Sequence, residues 1–222
     1  MWRDFPDRLA SATGCGALVY SRMGYGASDP VRGLRPARYM HDEALEALPA
    51  ILERFKLETA VLFGHSDGAS IALIHAGVHS SFVRALIVEA PHVFVEPVSI
   101  EGIKRITADY ATTRLRERLA RHHGGNTDSM FRAWSDVWLS SEFREWNIEE
   151  YLPAIECPVL VVQGEDDAYG TLRQVEAVVT QVKGPAESLL LAHCGHSPHS
   201  ERPDDVLEAA TRFVLKSLDA GH

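Results

Sequence analysis

The chain has 222 residues and a mass of 24.5 kDa, with 45% apolar and 24% charged residues. These proportions suit one globular domain, or one domain carrying a large insertion, and exclude a disordered tail or a fibrous repeat. A formal net charge of −9 argues against a nucleic-acid partner, whose phosphates need a basic face. No apolar run approaches the roughly 20 residues of a membrane span. The start, Met1-Trp2-Arg3-Asp4-Phe5-Pro6, lacks the charged-then-apolar pattern of a secretory signal. The expected location is the cytoplasm, where the widely spaced Cys15, Cys157 and Cys194 would be reduced, buried thiols.

The chain opens on a helix-like stretch from Trp2, with no strand before it. Ala17-Leu18-Val19-Tyr20 reads as a first strand, followed by the turn-rich Met23-Gly24-Tyr25-Gly26-Ala27-Ser28-Asp29-Pro30. Residues 38–55 carry Ala44, Leu45, Leu48, Ile51 and Leu52 on one face and predict a helix. Strands are predicted at 60–63, 85–88, 158–162 and 188–192, with a small-residue helix from Ser66 to Gly77 and a closing helix over 203–218. The strands are almost wholly apolar, as expected of a mostly parallel sheet with helices on both faces, so the fold class is α/β. Between residues 96 and 157 the rhythm breaks into helical patterns alone, around 99–110, 112–122, 127–140 and 142–153. This stretch predicts a helical insertion into a core made of residues 1–95 and 158–222.

Gly64-His65-Ser66-Asp67-Gly68 matches G-x-S-x-G between a predicted strand and a predicted helix. A serine on so sharp a turn has a strained backbone, which predicts that both flanking glycines are needed for space. Its hydroxyl would stand exposed, with the helix N-terminus adding positive potential for an oxyanion. A serine nucleophile needs a base and an acid to orient that base. Two polar loops at strand ends supply candidates: Gly164-Glu165-Asp166-Asp167, then His193-Cys194-Gly195-His196.

With these motifs in this order, the whole chain resembles the α/β-hydrolase superfamily, in the helical-capped branch of esterases and carbon–carbon bond hydrolases. The resemblance implies Ser66 as nucleophile, and Asp167 rather than Glu165 or Asp166 as acid. It implies His196 as base, in a Gly-His segment running to Glu201 and Pro203. Arg22-Met23-Gly24-Tyr25-Gly26-Ala27-Ser28 is similar to the family's R-G-x-G-x-S turn, interrupted by Met23. It further implies a serine hydrolase of a carboxylic ester or related acyl compound, with no cofactor and no metal. A carbon–carbon hydrolase of the ring-cleavage diketone type uses the same triad and is an alternative. The backbone N–H of Asp67 would be one oxyanion donor, with its carboxylate pointing away. The family's members carry strands and a His-Gly loop ahead of the helix at Trp2, holding the second donor. The expectation is therefore a native polypeptide that begins upstream, or else a catalytically impaired, ligand-binding member.

Other readings compete at several residues. His193, Cys194, His196 and His199 could suggest a metal, but their spacing around Pro198 does not fit one helix face. His193 and His199 are expected to be loop residues, and His65 a tolerated neighbour of the serine. Glu89, after the third predicted strand, is a reserve acid. Phe131, Trp134 and Trp138 share one helix face, and either pack the cap or line a pocket for an apolar or aromatic acyl substrate. Arg114, Arg116, Arg118 and Arg121 make a basic helix, read as solvated, or as a holder of a substrate carboxylate.

Overall fold

Four strands, β1 (Ala60–His65), β2 (Val83–Glu89), β3 (Val159–Gly164) and β4 (Ala186–Leu191), form one parallel sheet in the order β1-β2-β3-β4. They belong to a computed structural model that describes residues 2–31 and 33–219. The register pairs His65 with Glu89, Glu89 with Val162, and Gly164 with Leu191. The C-terminal ends of all four strands therefore meet along one edge, where the loops of an α/β sheet gather their functional groups.

Alternation along the strands sends successive residues to opposite faces. Leu86, Val88, Val159 and Val161 pack under helices α2 (Tyr39–Asp42), α3 (Leu48–Arg54), α4 (Asp67–Val78) and α8 (Leu172–Gln181). Ala85, Ile87, Leu160 and Val162 pack under α1 (Phe5–Thr13) and α10 (Pro203–Asp219). With both faces covered, β2 and β3 are buried almost throughout, which explains their predominantly apolar sequence. α4 is apolar on every side because it is sandwiched: Ala69 to Ala76 are all buried.

Several predicted elements take a different form. Residues 17–20 form no strand; they make no ladder, and Leu18, Val19 and Tyr20 are exposed. Strand propensity alone does not make a strand: residues 17–20 stay off β1, which among the described residues pairs only with β2. The helix predicted over 38–55 is interrupted by a π turn, Glu43–Ala47, between α2 and α3. Pro49 has no N–H and would clash with a carbonyl one turn back, so the helix widens just before it. The Leu48 N–H bonds to the Glu43 carbonyl, and His75 Nδ1 donates to the Ala44 carbonyl at 2.8 Å. The predicted helix at 142–153 is two 3₁₀ turns, Glu142–Glu145 and Glu149–Ala154. They are separated at Asn147, which bridges to Phe94. Helix α8 has no counterpart among the predicted elements, although it buries Gln174, Val175, Ala177 and Val178.

Between β2 and β3 lie α5 (Pro97–Thr112), α6 (Leu115–His123), α7 (Thr127–Leu139) and the two 3₁₀ turns just described. The root of this helical segment is closed by the Phe94–Asn147 bridge and by the Ile148 N–H on the Val93 carbonyl, at 2.8 Å. Its far end touches the turn after residue 22: the Gly26 N–H donates to His123 Nδ1 at 3.0 Å, and Asn126 Nδ2 donates to the Ser28 carbonyl at 2.7 Å. No described helix is long and apolar enough to cross a membrane.

Candidate active site

β1 ends at His65 and α4 begins at Asp67, so Ser66 alone makes the strand-to-helix turn. It does so at φ 54° and ψ −122°, a conformation that costs a non-glycine residue roughly 1–3 kcal/mol and persists only when its surroundings enforce it. The crowding that enforces it is one-sided. A Cβ on Gly64 would lie 2.2 Å from the Gly68 carbonyl oxygen, whereas a Cβ on Gly68 would meet nothing within 4 Å. The expectation that both glycines are needed for space therefore holds for Gly64 and fails for Gly68: the strand must be bare where the helix's first turn crosses it.

Gly164 plays the corresponding part at the end of β3. A Cβ there would fall 2.2 Å from the Gly195 carbonyl oxygen and 2.3 Å from that of Cys194. The loops carrying Asp167 and His196 can cross only because it is absent. The Asp166 N–H then bonds to the Cys194 carbonyl at 2.9 Å. Glu201 fixes the backbone on either side of His196, accepting from the Gly195 N–H at 2.7 Å and the Ser197 N–H at 3.0 Å.

These loops bring Ser66, His196 and Asp167 together. His196 Nε2 lies 3.0 Å from Ser66 Oγ, and its Nδ1 lies 2.8 Å from Asp167 Oδ2. Asp167 is buried, and also accepts from Gln163 Nε2 and the Tyr169 N–H, both at 2.8 Å. Burial alone would raise its pKa. The hydrogen bond and charge of His196, with the Tyr169 and Gln163 bonds, outweigh that and hold it below the usual carboxylate range. Three rings surround the His196 imidazole: Tyr169 at 4.6 Å, His65 at 5.0 Å and His92 at 5.9 Å between centroids.

Asp67 starts α4, so its N–H has no intrahelical acceptor and stands beside Ser66 at the helix N-terminus. Its carboxylate accepts from Tyr39 Oη at 2.7 Å and approaches Arg22 Nη2 at 3.5 Å. Trp138 Nε1 in turn donates to Tyr39 Oη at 3.0 Å. Trp138 is thus buried among Tyr39, Phe143, Trp146 and His92, while Phe131 is buried in a stack on Tyr110 and Trp134 is partly exposed. α6 buries none of its residues; Arg114 pairs with Glu117 and Arg116 with Asp128.

Glu89 is fully buried and accepts from His199 Nδ1 at 2.6 Å, so its imidazole partner is His199 and not His196. The expectation of His199 as a loop residue is corrected: it is buried in the short helix α9 (Pro198–Glu201), where its Nδ1 meets the buried Glu89 carboxyl group. His193 is an exposed loop residue. Among the described residues no group of three His, Cys, Asp or Glu side chains is arranged to hold a metal ion.

The model of the alpha/beta hydrolase family matches residues 1–209. The chain belongs to the alpha/beta hydrolase family. It is a hydrolase by that membership, and it is 26% identical over 206 residues to the serine hydrolase BPHL of Homo sapiens, covering 89% of this chain and 68% of that protein. It is 22% identical over 241 residues to a proline iminopeptidase of Saccharolobus solfataricus, covering 90% and 76%. Among solved structures, NosK from Streptomyces actuosus superposes with a TM-score of 0.73 at 20% identity, over 96% of this chain and 92% of that one, a likeness of fold.

Around the hydrolase site, sequence reasoning missed His92, Tyr169, Tyr39 and the positioning role of His65. His92 follows β2 by three residues, and its burial pushes its pKa down to about 4, with the nearby charge of His196 adding to the effect. Tyr169 follows Asp167 by two residues. The one signal available was position: both residues sit just past a strand's C-terminal end.

Proposed function

We propose that the chain is a serine hydrolase that cleaves a small carboxylic ester or related acyl compound, with Ser66, His196 and Asp167 as its triad. The observation that carries this reading is the continuous hydrogen-bonded line Ser66 Oγ to His196 Nε2 at 3.0 Å and His196 Nδ1 to Asp167 at 2.8 Å. Ser66 attacks the carbonyl as His196 takes its proton. The tetrahedral oxyanion forms beside the N-terminus of α4, where the Asp67 N–H donates to it. Collapse expels the leaving group, to which His196 returns the proton. Water then repeats the sequence on the acyl-enzyme. Asp167 stays ionised throughout, holding the imidazole in the tautomer with hydrogen on Nδ1 and balancing its charge when protonated.

In this reading residues 96–157 are a cap over the site, and Phe131, Trp134 and Trp138 bias it toward apolar or aromatic acyl groups. Trp134, partly exposed, is the member able to touch substrate directly. The names of the sequence relatives, a serine hydrolase and a proline iminopeptidase, support acyl transfer through serine. Three free thiols accord with a reducing, cytoplasmic setting.

A fluorophosphonate probe tests the reading. Covalent labelling of the wild type that is abolished in Ser66→Ala is the expected result. A folded wild type that resists labelling, and hydrolyses nothing in a panel of esters of varied acyl length, would overturn it in favour of a ligand-binding member.

A further inference from the structure

Tyr169 stands where the helical cap and the acid–base pair meet. Its N–H donates to Asp167 Oδ1 at 2.8 Å. Its ring packs on the His196 imidazole at 4.6 Å between centroids. Its carbonyl oxygen accepts from Ser99 Oγ at 2.5 Å and from His92 Nε2 at 3.2 Å. One residue therefore touches the acid through its backbone, the base through its ring, and the first turn of α5 through its carbonyl.

The contact with α5 is unusually close. Gly102 is buried in that helix, and a Cβ placed on it would lie 2.6 Å from the Ala168 carbonyl oxygen and 2.9 Å from Tyr169 Cδ1. A helix that approaches this nearly cannot move toward the loop without pushing it. Movement the other way is opposed by Glu96, at the N-cap of α5, which accepts from the Thr171 N–H at 2.9 Å and from Thr171 Oγ1 at 2.8 Å. Gln174 Nε2 adds a third bond to the same carboxylate at 2.8 Å. The loop from Asp167 to Thr171 is thus gripped by α5 on one side and grips the acid and base on the other. Among the described residues the phenol hydroxyl has no hydrogen-bond partner, so the ring and backbone carry the contact.

We propose that Tyr169 is a positioning residue through which α5 sets the placement of Asp167 and His196, so that the seating of the cap is read directly by the acid–base pair. A displacement of about 1 Å at reacting groups can lower rate ~100-fold, so a rigid connector of this kind is enough to make turnover depend on cap position. The proposal rests on the serine-hydrolase reading for its kinetic readout, but it also predicts a spectroscopic effect that needs no turnover.

The test uses Tyr169→Phe, Tyr169→Ala, Gly102→Ala and Ser99→Ala in the full chain, with a p-nitrophenyl ester as substrate. Tyr169→Phe keeps ring and backbone, and should stay within about twofold of wild type. Tyr169→Ala should lower kcat at least tenfold while changing KM less than about threefold, with thermal unfolding still cooperative. Gly102→Ala should lower kcat in the same way, and the double variant should be no worse than the weaker single, because both act through one contact. Ser99→Ala introduces no clash and should lower kcat about threefold, which keeps the test available if Gly102→Ala fails to fold. In parallel, the downfield proton resonance of His196 Nδ1–H should shift or broaden in Tyr169→Ala and Ser99→Ala and be restored in Tyr169→Phe. Unchanged resonance and unchanged kcat in folded Tyr169→Ala would overturn the proposal. A rise in KM alone would also overturn it, making Tyr169 a substrate contact. Loss of Ser66 labelling in the wild type with the resonance still responsive would instead reject the serine-hydrolase reading and leave the coupling standing.

Discussion

His65 Nε2 donates to the backbone carbonyl of His196 at 2.6 Å, so the residue preceding the candidate nucleophile holds the main chain of the candidate base. A carbonyl only accepts, which fixes the proton on Nε2 of a neutral imidazole. Burial, reinforced by the nearby charge of His196, pushes the His65 pKa down to about 3. A sequence motif and a tertiary contact thus share one residue, whose burial favours the uncharged ring.

Acid should therefore weaken the fold well above the carboxylate range. His65 titrates near 6.5 when unfolded and near 3 when folded, and His92 near 6.5 and near 4. Between those values the unfolded chain binds more protons, so stability is complete above about pH 6.5 and falls as pH drops toward 4. Asp167, depressed in the fold, has its own window: its contribution is present above about pH 4 and is lost below that as pH falls through its folded value. The urea midpoint should be lower at pH 5 than at pH 7.5. His65→Gln, which keeps a donor for the His196 carbonyl but cannot titrate, should reduce the difference. An equal difference in both proteins would refute the assignment.

The two motif glycines should behave oppositely. Gly64→Ala forces a Cβ to within 2.2 Å of the Gly68 carbonyl oxygen, and should cost at least ~1–3 kcal/mol as overpacking against backbone. Gly68→Ala meets open space on a helix, where alanine is favoured over glycine by roughly 1 kcal/mol, so it should be neutral or stabilising. Urea unfolding of both variants decides the matter, and a destabilised Gly68→Ala would contradict it.

The legible parts of this molecule were those governed by local pattern. The apolar runs at 60–63, 85–88, 158–162 and 188–192 all lie within or across the ends of β1 to β4, and polar residues just past three strand ends, Ser66, Asp167 and His196, converge. The illegible parts depend on partners distant in sequence. Residues 17–20 have the composition of a strand but no ladder to join. The π turn before Pro49 is also capped by His75, 31 residues away. His199 looked like a loop residue because nothing near it in sequence announces Glu89, 110 residues earlier. Tyr169 has no local sequence signal, because its contacts run through its ring and its carbonyl to residues distant in sequence.

The chain Trp138 Nε1 to Tyr39 Oη to Asp67 Oδ2 makes Tyr39 both acceptor and donor in a buried site. Burial raises the Tyr39 pKa well above its ordinary value, and the adjacent Asp67 charge adds to the shift, so the phenol keeps the proton it donates. Tyr39→Phe removes one oxygen, strands the indole N–H and leaves Asp67 Oδ2 with only its longer contact to Arg22 Nη2 at 3.5 Å. The expected cost is ~1–3 kcal/mol per stranded group, measured by urea unfolding. Tyr39→Phe with Trp138→Phe should recover part of the loss, because the second change removes one stranded donor. Additive losses would mean the indole bond contributes nothing.

Two carboxylates lie at strand ends near imidazoles, and substitution should separate their roles. Asp167 bonds to His196, whose other nitrogen reaches Ser66, whereas among the described residues the Glu89 side chain bonds to His199 alone. Asp167→Asn should lower kcat by about 10⁴, as loss of the orienting carboxylate permits the wrong imidazole tautomer. Glu89→Gln should leave kcat within about tenfold. His199→Ala should destabilise by ~1–3 kcal/mol, since it leaves a fully buried carboxyl group without its hydrogen-bond partner. Replacing both Glu89 and His199 with leucine should restore much of that loss, because replacing both partners of a buried hydrogen bond with apolar groups can be nearly neutral. Ester turnover and urea unfolding of the four variants provide the check. A collapse of kcat in folded Glu89→Gln, with Asp167→Asn remaining active, would transfer the role of acid to Glu89.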